Sequence, residues 1–269
     1  MLKSSFLLTM LAVLTGLSAC SSLLPTPNNS ILTSRPSPQP TTLSVEIDAS
    51  LVTASACNTA LSNGLVAYYP LDGNGQESVA NAHGNLKGTT PPQATADRKG
   101  QTGKALLFNP EQENYVDLPL LNITPTNRPQ LSISAWVRSD NNTSERLQQI
   151  VSNDDGDYDR SVGIDTRGGG FGWSAFMGSE GVLGFEPIRK GEWTFVVVAY
   201  DQVAGGVQLF VNGKQFSKKP TTVGEGLTTA RIGSNPGFGE YFEGAIDDVR
   251  VYNRSVDGQT VKQWQACSR

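Results

Sequence analysis

Val207-Gln208-Leu209-Phe210-Val211-Asn212-Gly213-Lys214-Gln215-Phe216 carries the sharpest conformational signal in the chain. Asn-Gly supplies the positive φ values that a two-residue type I′ turn demands, and the flanking runs are rich in β-branched and aromatic residues. The stretch reads as a hairpin of two antiparallel strands. Upstream, Leu131-Ser132-Ile133-Ser134-Ala135-Trp136-Val137 alternates as a strand with one buried face does. Trp193 to Tyr200 is apolar on both faces, which suits a strand in the middle of a sandwich. From about Asn63 to Cys267, similar runs alternate with Gly, Asn, Asp and Pro clusters, giving about a dozen strands without internal repeats. Roughly 200 residues suffice for one stable core. One short helix is expected near the end, capped by Asp257, with Val261 and Trp264 on one face and Gly258 weakening it. The expected fold is all-β, a two-sheet antiparallel sandwich with a short C-terminal helix.

The N-terminal end has another character. Lys3 precedes an apolar run, Phe6 to Leu17, that is too short for a comfortable membrane span. The run closes on Leu17-Ser18-Ala19-Cys20, which resembles the bacterial lipobox. The resemblance implies that residues 1–20 are a lipoprotein signal peptide with lipid carried on Cys20; an ordinary secretory signal is the alternative. Residues 21–56 are rich in Ser, Thr, Pro and Asn and read as a disordered tether spanning roughly 30–35 Å. The folded domain is expected over residues 57–269. Ser21 is not the Asp associated with inner-membrane retention, so the expected location is the cell envelope, at the outer membrane or cell surface.

Three cysteines are present, and setting Cys20 aside leaves Cys57 and Cys267 as an even pair. Joined, they would tie the ends of the domain together in an oxidising compartment; two free thiols are the alternative. Without Lys3, the 21 basic residues become 20 against 25 acidic ones. That balance argues against nucleic acid as a partner. No other apolar stretch is long enough to cross a membrane, so the lipid on Cys20 is the only membrane attachment expected, and the domain is expected to be a monomer.

Several ordered segments resemble the laminin-G-like jelly-roll family, within the concanavalin A-like lectin/glucanase fold. They are Gly64-Leu65-Val66-Ala67-Tyr68-Tyr69-Pro70-Leu71-Asp72-Gly73-Asn74, Gly103 to Phe108, Asn114 to Leu118, Leu131 to Val137, Gly191 to Phe195, Phe210 to Lys214, and Phe242 to Arg254. The resemblance implies a structural Ca²⁺ held by Asp72 and Asp247, with Asn74, Asn81 and Asp248 as helpers; a hard cation wants six to eight oxygens. Glu77-Ser78-Val79-Ala80-Asn81 departs from the Asp-Ser-Ser/Gly-Gly-Asn run of many relatives, which removes ligands from that loop. The alternative is that Asp72 caps a turn and Asp247 pairs with Arg250 or backbone amides. Independently, Ile246, Val249 and Val251 break alternation at Asp247-Asp248, which predicts a β-bulge.

Catalytic signatures are sparse. No Glu-x-Asp-x-(x-)Glu run of the glucanases lies in the domain, and Glu46-Ile47-Asp48 falls in the tether without a third acid. His83, the only histidine, has no Gly-x-Ser-x-Gly partner, and Gly168-Gly169-Gly170 lacks the Lys-Ser/Thr of a phosphate loop. Asn153-Asp154-Asp155-Gly156-Asp157-Tyr158-Asp159 lacks EF-hand spacing and reads as a solvated hairpin loop. The expected ligand-binding residues are the loop aromatics Tyr158, Trp173, Phe238 and Tyr241, with Phe176 beside them; Trp173 and Phe176 suit a core equally well. The expected function is a surface-tethered, non-catalytic module that binds carbohydrate, with calcium supporting its loops. A protein-binding or adhesive module of the envelope is the alternative, and a glycoside hydrolase the third.

Overall fold

The chain begins its described structure at a helix, α1 (Ala54–Ser62), followed by β1 (Leu65–Tyr69), β2 (Asn85–Lys87), β3 (Gln93–Thr95), β4 (Ala105–Phe108) and β5 (Tyr115–Leu118). The middle third comprises β6 (Gln130–Ser139), β7 (Gln148–Ser152), β8 (Ser161–Asp165), β9 (Gly172–Phe176) and β10 (Val182–Pro187). β11 (Trp193–Asp201), β12 (Gly206–Val211), β13 (Lys214–Lys218), β14 (Ala230–Ile232), β15 (Gly244–Tyr252) and α2 (Gly258–Cys267) complete it. This computed structural model describes residues 54–141, 146–218 and 221–268. The expected signal peptide, Cys20 and all but the last three residues of the expected tether lie outside the described residues.

The strands form two antiparallel sheets. One runs β13-β12-β11-β6-β15-β4-β3, with β1 also beside β15; the other runs β10-β9-β8-β7-β14-β5-β2. The Asn212-Gly213 turn has φ values of 48° and 82° and joins β12 to β13 with Val211 opposite Lys214, as the sequence predicts. β2, β3 and β14 span only three residues each, too few for a two-residue period to show in sequence.

β11 is apolar on both faces because it serves two cores. Val196, Val198 and Tyr200 join Ile133, Ala135 and Val137 of β6 in the layer between the sheets. Phe195, Val197 and Ala199 face the other way, with Trp136 of β6, onto Val261 and Trp264 of α2. Burying each such side chain contributes about 1.5–3 kcal/mol. Asp257 caps α2 by accepting from the Thr260 N–H at 2.8 Å, and the helix spans ten residues.

α1 is a correction to the sequence reading, which placed tether through residue 56 and no helix. The helix buries none of its own residues, so its sequence carries no amphipathic signal. Its support is remote: Cys57 is bonded to Cys267, and the Trp264 Nε1 donates to the Ala60 carbonyl at 3.0 Å. Trp264 in turn stacks on Tyr252 with ring centroids 3.9 Å apart.

On β15, one residue too many lies opposite β6 between Asp247 and Arg250, and Asp248 takes a φ of 54°. This is the predicted bulge. β4 pairs with β15 on its N-terminal side, at Gly244 to Ile246, and β1 pairs beyond it, at Val249 to Tyr252.

The half-cystines are 210 residues apart, so the bond restricts nearly the whole unfolded domain. Replacing both Cys57 and Cys267 by Ser is expected to lower the thermal midpoint by roughly 10 °C, from a loss of about 3–5 kcal/mol. Differential scanning calorimetry checks this.

Candidate functional site

Strand alternation divides the aromatic candidates. On β9, Trp173 and Ala175 belong to the inter-sheet core, whereas Phe176 does not. Trp173 is 1% exposed and lies in the core, the second of the two places its sequence suits. Tyr241 leans on Tyr115, ring centroids 6.4 Å apart, and the Arg231 guanidinium lies 4.0 Å from the Tyr115 ring. Tyr158 and Phe238, by contrast, converge with Phe176 on one cavity of about 320 Å³.

Three loops build this cavity. The β7–β8 loop brings Asp154, Asp157 and Tyr158; the β8–β9 loop brings Arg167; the β14–β15 loop brings Phe238 and Glu240. Tyr158 meets Phe176 edge to face at 5.4 Å, while Phe238 stands 63% exposed at the rim. Consecutive residues Asp157 and Tyr158 both adopt left-handed φ values, 60° and 59°. Such backbone costs on the order of 1 kcal/mol per residue and concentrates at functional sites.

A polar network fixes the loops to the sheet. Gln149 of β7 accepts from the Ser161 hydroxyl at 2.6 Å and donates to Glu240 at 2.9 Å. The Asn235 amide donates to both Asp154, at 2.8 Å, and Glu240, at 3.1 Å. Asp154 also accepts from the Asp159 N–H at 2.8 Å. Arg167 forks onto the buried Asp165, with Nε 2.8 Å from Oδ1, and lies 3.5 Å from Glu240. Its guanidinium covers the Tyr158 and Phe176 rings at 5.0 and 5.4 Å. The expectation of a simply solvated loop at 153–159 is therefore corrected: Asp154 and Asp159 are each 2% exposed. Arg167 and Glu240 give no sequence signal, because their partners come from other strands.

The residues implied for calcium sit elsewhere, around a cavity of about 220 Å³ lined by Asp72, Asp247, Asp248, Arg98 and Lys104. Lys104 Nζ holds Asp72 at 2.7 Å, and Arg98 pairs with both Asp247 and Asp248, at 2.5 and 2.7 Å. Asn74 serves its own turn, donating to the Asp72 carbonyl and accepting from the Gln76 N–H, each at 2.9 Å. Asn81 is exposed in a left-handed conformation. Among the described residues, no group of three or more Asp, Glu, His or Cys side chains is arranged to hold a metal ion. As arranged, this donor set does not fit calcium.

The two sheets and the loop-built cavity define a lectin-like β-sandwich. A laminin-G profile of the concanavalin A-like lectin/glucanases superfamily matches residues 110–262, more than half of the chain, and the protein belongs to that superfamily. No curated protein matches the sequence. Among solved structures, domain 4 of AbnA, an extracellular GH43 arabinanase from Geobacillus stearothermophilus in complex with arabinotriose, is similar at 22% identity and a TM-score of 0.55. That match covers 74% of this chain and 97% of the other. The binding domain of botulinum neurotoxin DC in complex with SialylT is similar at 12% identity and a TM-score of 0.54. That match covers 77% of this chain and 52% of the toxin chain. A structure of botulinum neurotoxin type C, whose cell entry depends on interaction with two ganglioside molecules, has 12% identity and a TM-score of 0.54 over 78% of this chain and 52% of its own. At these identities the likeness is one of fold.

Burial pushes the Asp159 carboxyl up to about 7; the Asp155 N–H opposes this, and the Asp155 and Asp154 carboxylates add to it. The folded state therefore binds a proton that the unfolded chain releases near pH 4, and this stabilisation fades as pH rises from about 4 to 7. Asp159→Asn keeps a neutral group at every pH. Relative to the parent, its thermal midpoint is expected to be higher at pH 8 than at pH 5, by an amount on the order of 2–4 °C. Paired melting curves at the two pH values check this.

Proposed function

We propose that this protein is a glycan-recognition module without catalytic activity of its own, held at the cell envelope by lipid on Cys20. The observation that carries the recognition reading is the convergence of Tyr158, Phe176 and Phe238 with Asp154, Asp157 and Glu240 around one sugar-sized cavity. Sugar rings present C–H faces that stack on exposed aromatic rings, and carboxylates accept hydrogen bonds from sugar hydroxyls. The glycan complexes among the structural neighbours support the same reading. The anchor rests on the lipobox resemblance at Leu17 to Cys20 and on the proline-rich segment that follows it.

Charge narrows the ligand class. Three carboxylates line the cavity against one cation, Arg167, and that guanidinium is already shared between Asp165 and Glu240. A sialic or uronic acid would bring another carboxylate with no unengaged cation to meet it, so the site suits an uncharged sugar. Asp154 accepts from the Asp159 N–H and the Asn235 amide, and Glu240 from the Gln149 and Asn235 amides, bonds that fix both carboxylates in place and leave lone pairs for sugar hydroxyls.

Titration calorimetry of the full chain against neutral oligosaccharides, arabino-oligosaccharides included, and against sialylated ones tests the reading. Neutral ligands are expected to bind, and Phe238→Ala to weaken them by roughly tenfold or more, about 1.4 kcal/mol. Tyr241→Ala is expected to leave affinity unchanged. Folded protein that binds no glycan, yet captures an envelope protein regardless of added free sugar, would establish the adhesive alternative. Release of reducing sugar from arabinan or β-glucan would overturn the non-catalytic part.

A further inference from the structure

We propose that Arg98 is a tethered cation standing in for a bound divalent ion at the β15 bulge, so that the domain joins its loops and C-terminal end without calcium. The bulge sets two carboxylates at consecutive positions, Asp247 at 3% exposure and Asp248 at 8%. Two buried anions this close repel each other and need positive charge. Arg98, from the β3–β4 loop, supplies it with one planar fork: Nη1 donates to Asp247 at 2.5 Å and Nη2 to Asp248 at 2.7 Å. Arg250 lies 3.1 Å from the other Asp248 oxygen, which also accepts from the Tyr68 hydroxyl at 2.5 Å. Two guanidinium charges thus face two carboxylates, the same balance that one calcium ion would give.

The remaining oxygens of the region are equally committed. Asp72 is held by Lys104. Glu77, which stands in the loop that departs from the family run, accepts from the backbone N–H groups of Tyr68, Val79, Ala80 and Ala82 at 2.8, 2.7, 2.6 and 3.2 Å. A carboxylate closing its loop through four amides leaves little to offer a metal that wants six to eight oxygens. Arg98 also does what a bridging ion does mechanically. It donates to the Ser268 carbonyl, and its guanidinium lies 5.1 Å from the Trp136 ring centroid, joining the β3–β4 loop, the β15 bulge and the chain's end.

Thermal melting of the full chain and of Arg98→Ala, each in EDTA, in 10 mM CaCl₂ and in 10 mM MgCl₂, tests the proposal. The parent midpoint is expected to move by less than about 1 °C between EDTA and calcium, since a ligand that does not bind does not shift folding. Arg98→Ala leaves the buried Asp247 without a cation and Asp248 with Arg250 alone, and is expected to melt roughly 10 °C lower in EDTA. Calcium, but not magnesium, is expected to restore half or more of that loss, because the same oxygens now face an open position. The double variant Arg98→Ala/Asp247→Asn has one carboxylate fewer and is expected to regain stability in EDTA and to ignore calcium. If Arg98→Ala fails to fold in EDTA, its refolding with calcium against magnesium, followed by tryptophan fluorescence, gives the same readout. Calcium stabilisation of the parent by several degrees would overturn the proposal. So would an Arg98→Ala deficit that calcium leaves untouched or that magnesium restores equally.

Discussion

The structure depends on one constraint: the central strands β6 and β11 are buried on both faces. Their inward residues form the layer between the sheets, and their outward residues need a second cover, which α2 provides through Val261 and Trp264. Because α2 has to lie there, Trp264 reaches Tyr252 and Ala60, Cys267 reaches Cys57, and Ser268 reaches both Arg98 and the Trp136 indole. The helix layer and the disulfide are therefore consequences of one apolar surplus on β11, and the end of that helix completes the junction that Arg98 makes at the β15 bulge.

The candidate site lies in the other sheet and uses different forces. The outward face of β7 and β8 carries Gln149, Ser161 and Asp165, which act as fixed posts for the loops above them. Glu240 and Arg167 are held by those posts, and Tyr158 and Phe176 pack under the Arg167 guanidinium. The aromatic surface is thus positioned by buried hydrogen bonds whose partners are satisfied, an arrangement that gives rigidity. A rigid platform loses little entropy when a ligand settles on it.

Much of the framework was legible in the sequence, because it depends on local pattern. The strand at Leu131 to Val137, the Asn212-Gly213 turn, the Asp257 cap and the break at Asp247-Asp248 each follow from neighbours along the chain, although β6 is buried on both faces where its alternation predicts one. What escaped depends on distant partners. α1 fully buries none of its residues and is held through Cys57 and Ala60 by residues about two hundred positions away. Trp173 was ambiguous because Phe171, Trp173 and Phe176 place aromatics at both parities around β9, so the inward face cannot be chosen from pattern alone. Arg98 sits in Asp97-Arg98-Lys99-Gly100, a stretch with the look of a solvated turn, and only the folding of β15 beside it supplies its two acids.

The bond between Cys57 and Cys267 also changes how the domain takes a mechanical load. Tension arriving at the N-terminal helix divides into two branches: along the backbone into β1, and across the sulfurs into α2. Both branches end on β15, since β1 pairs with its C-terminal half and α2 follows it in the chain. β1 cannot be peeled away rung by rung while the second branch holds the same anchorage. Pulling from that end must shear a central strand flanked on both sides, a geometry that resists stretching far better than unzipping an edge.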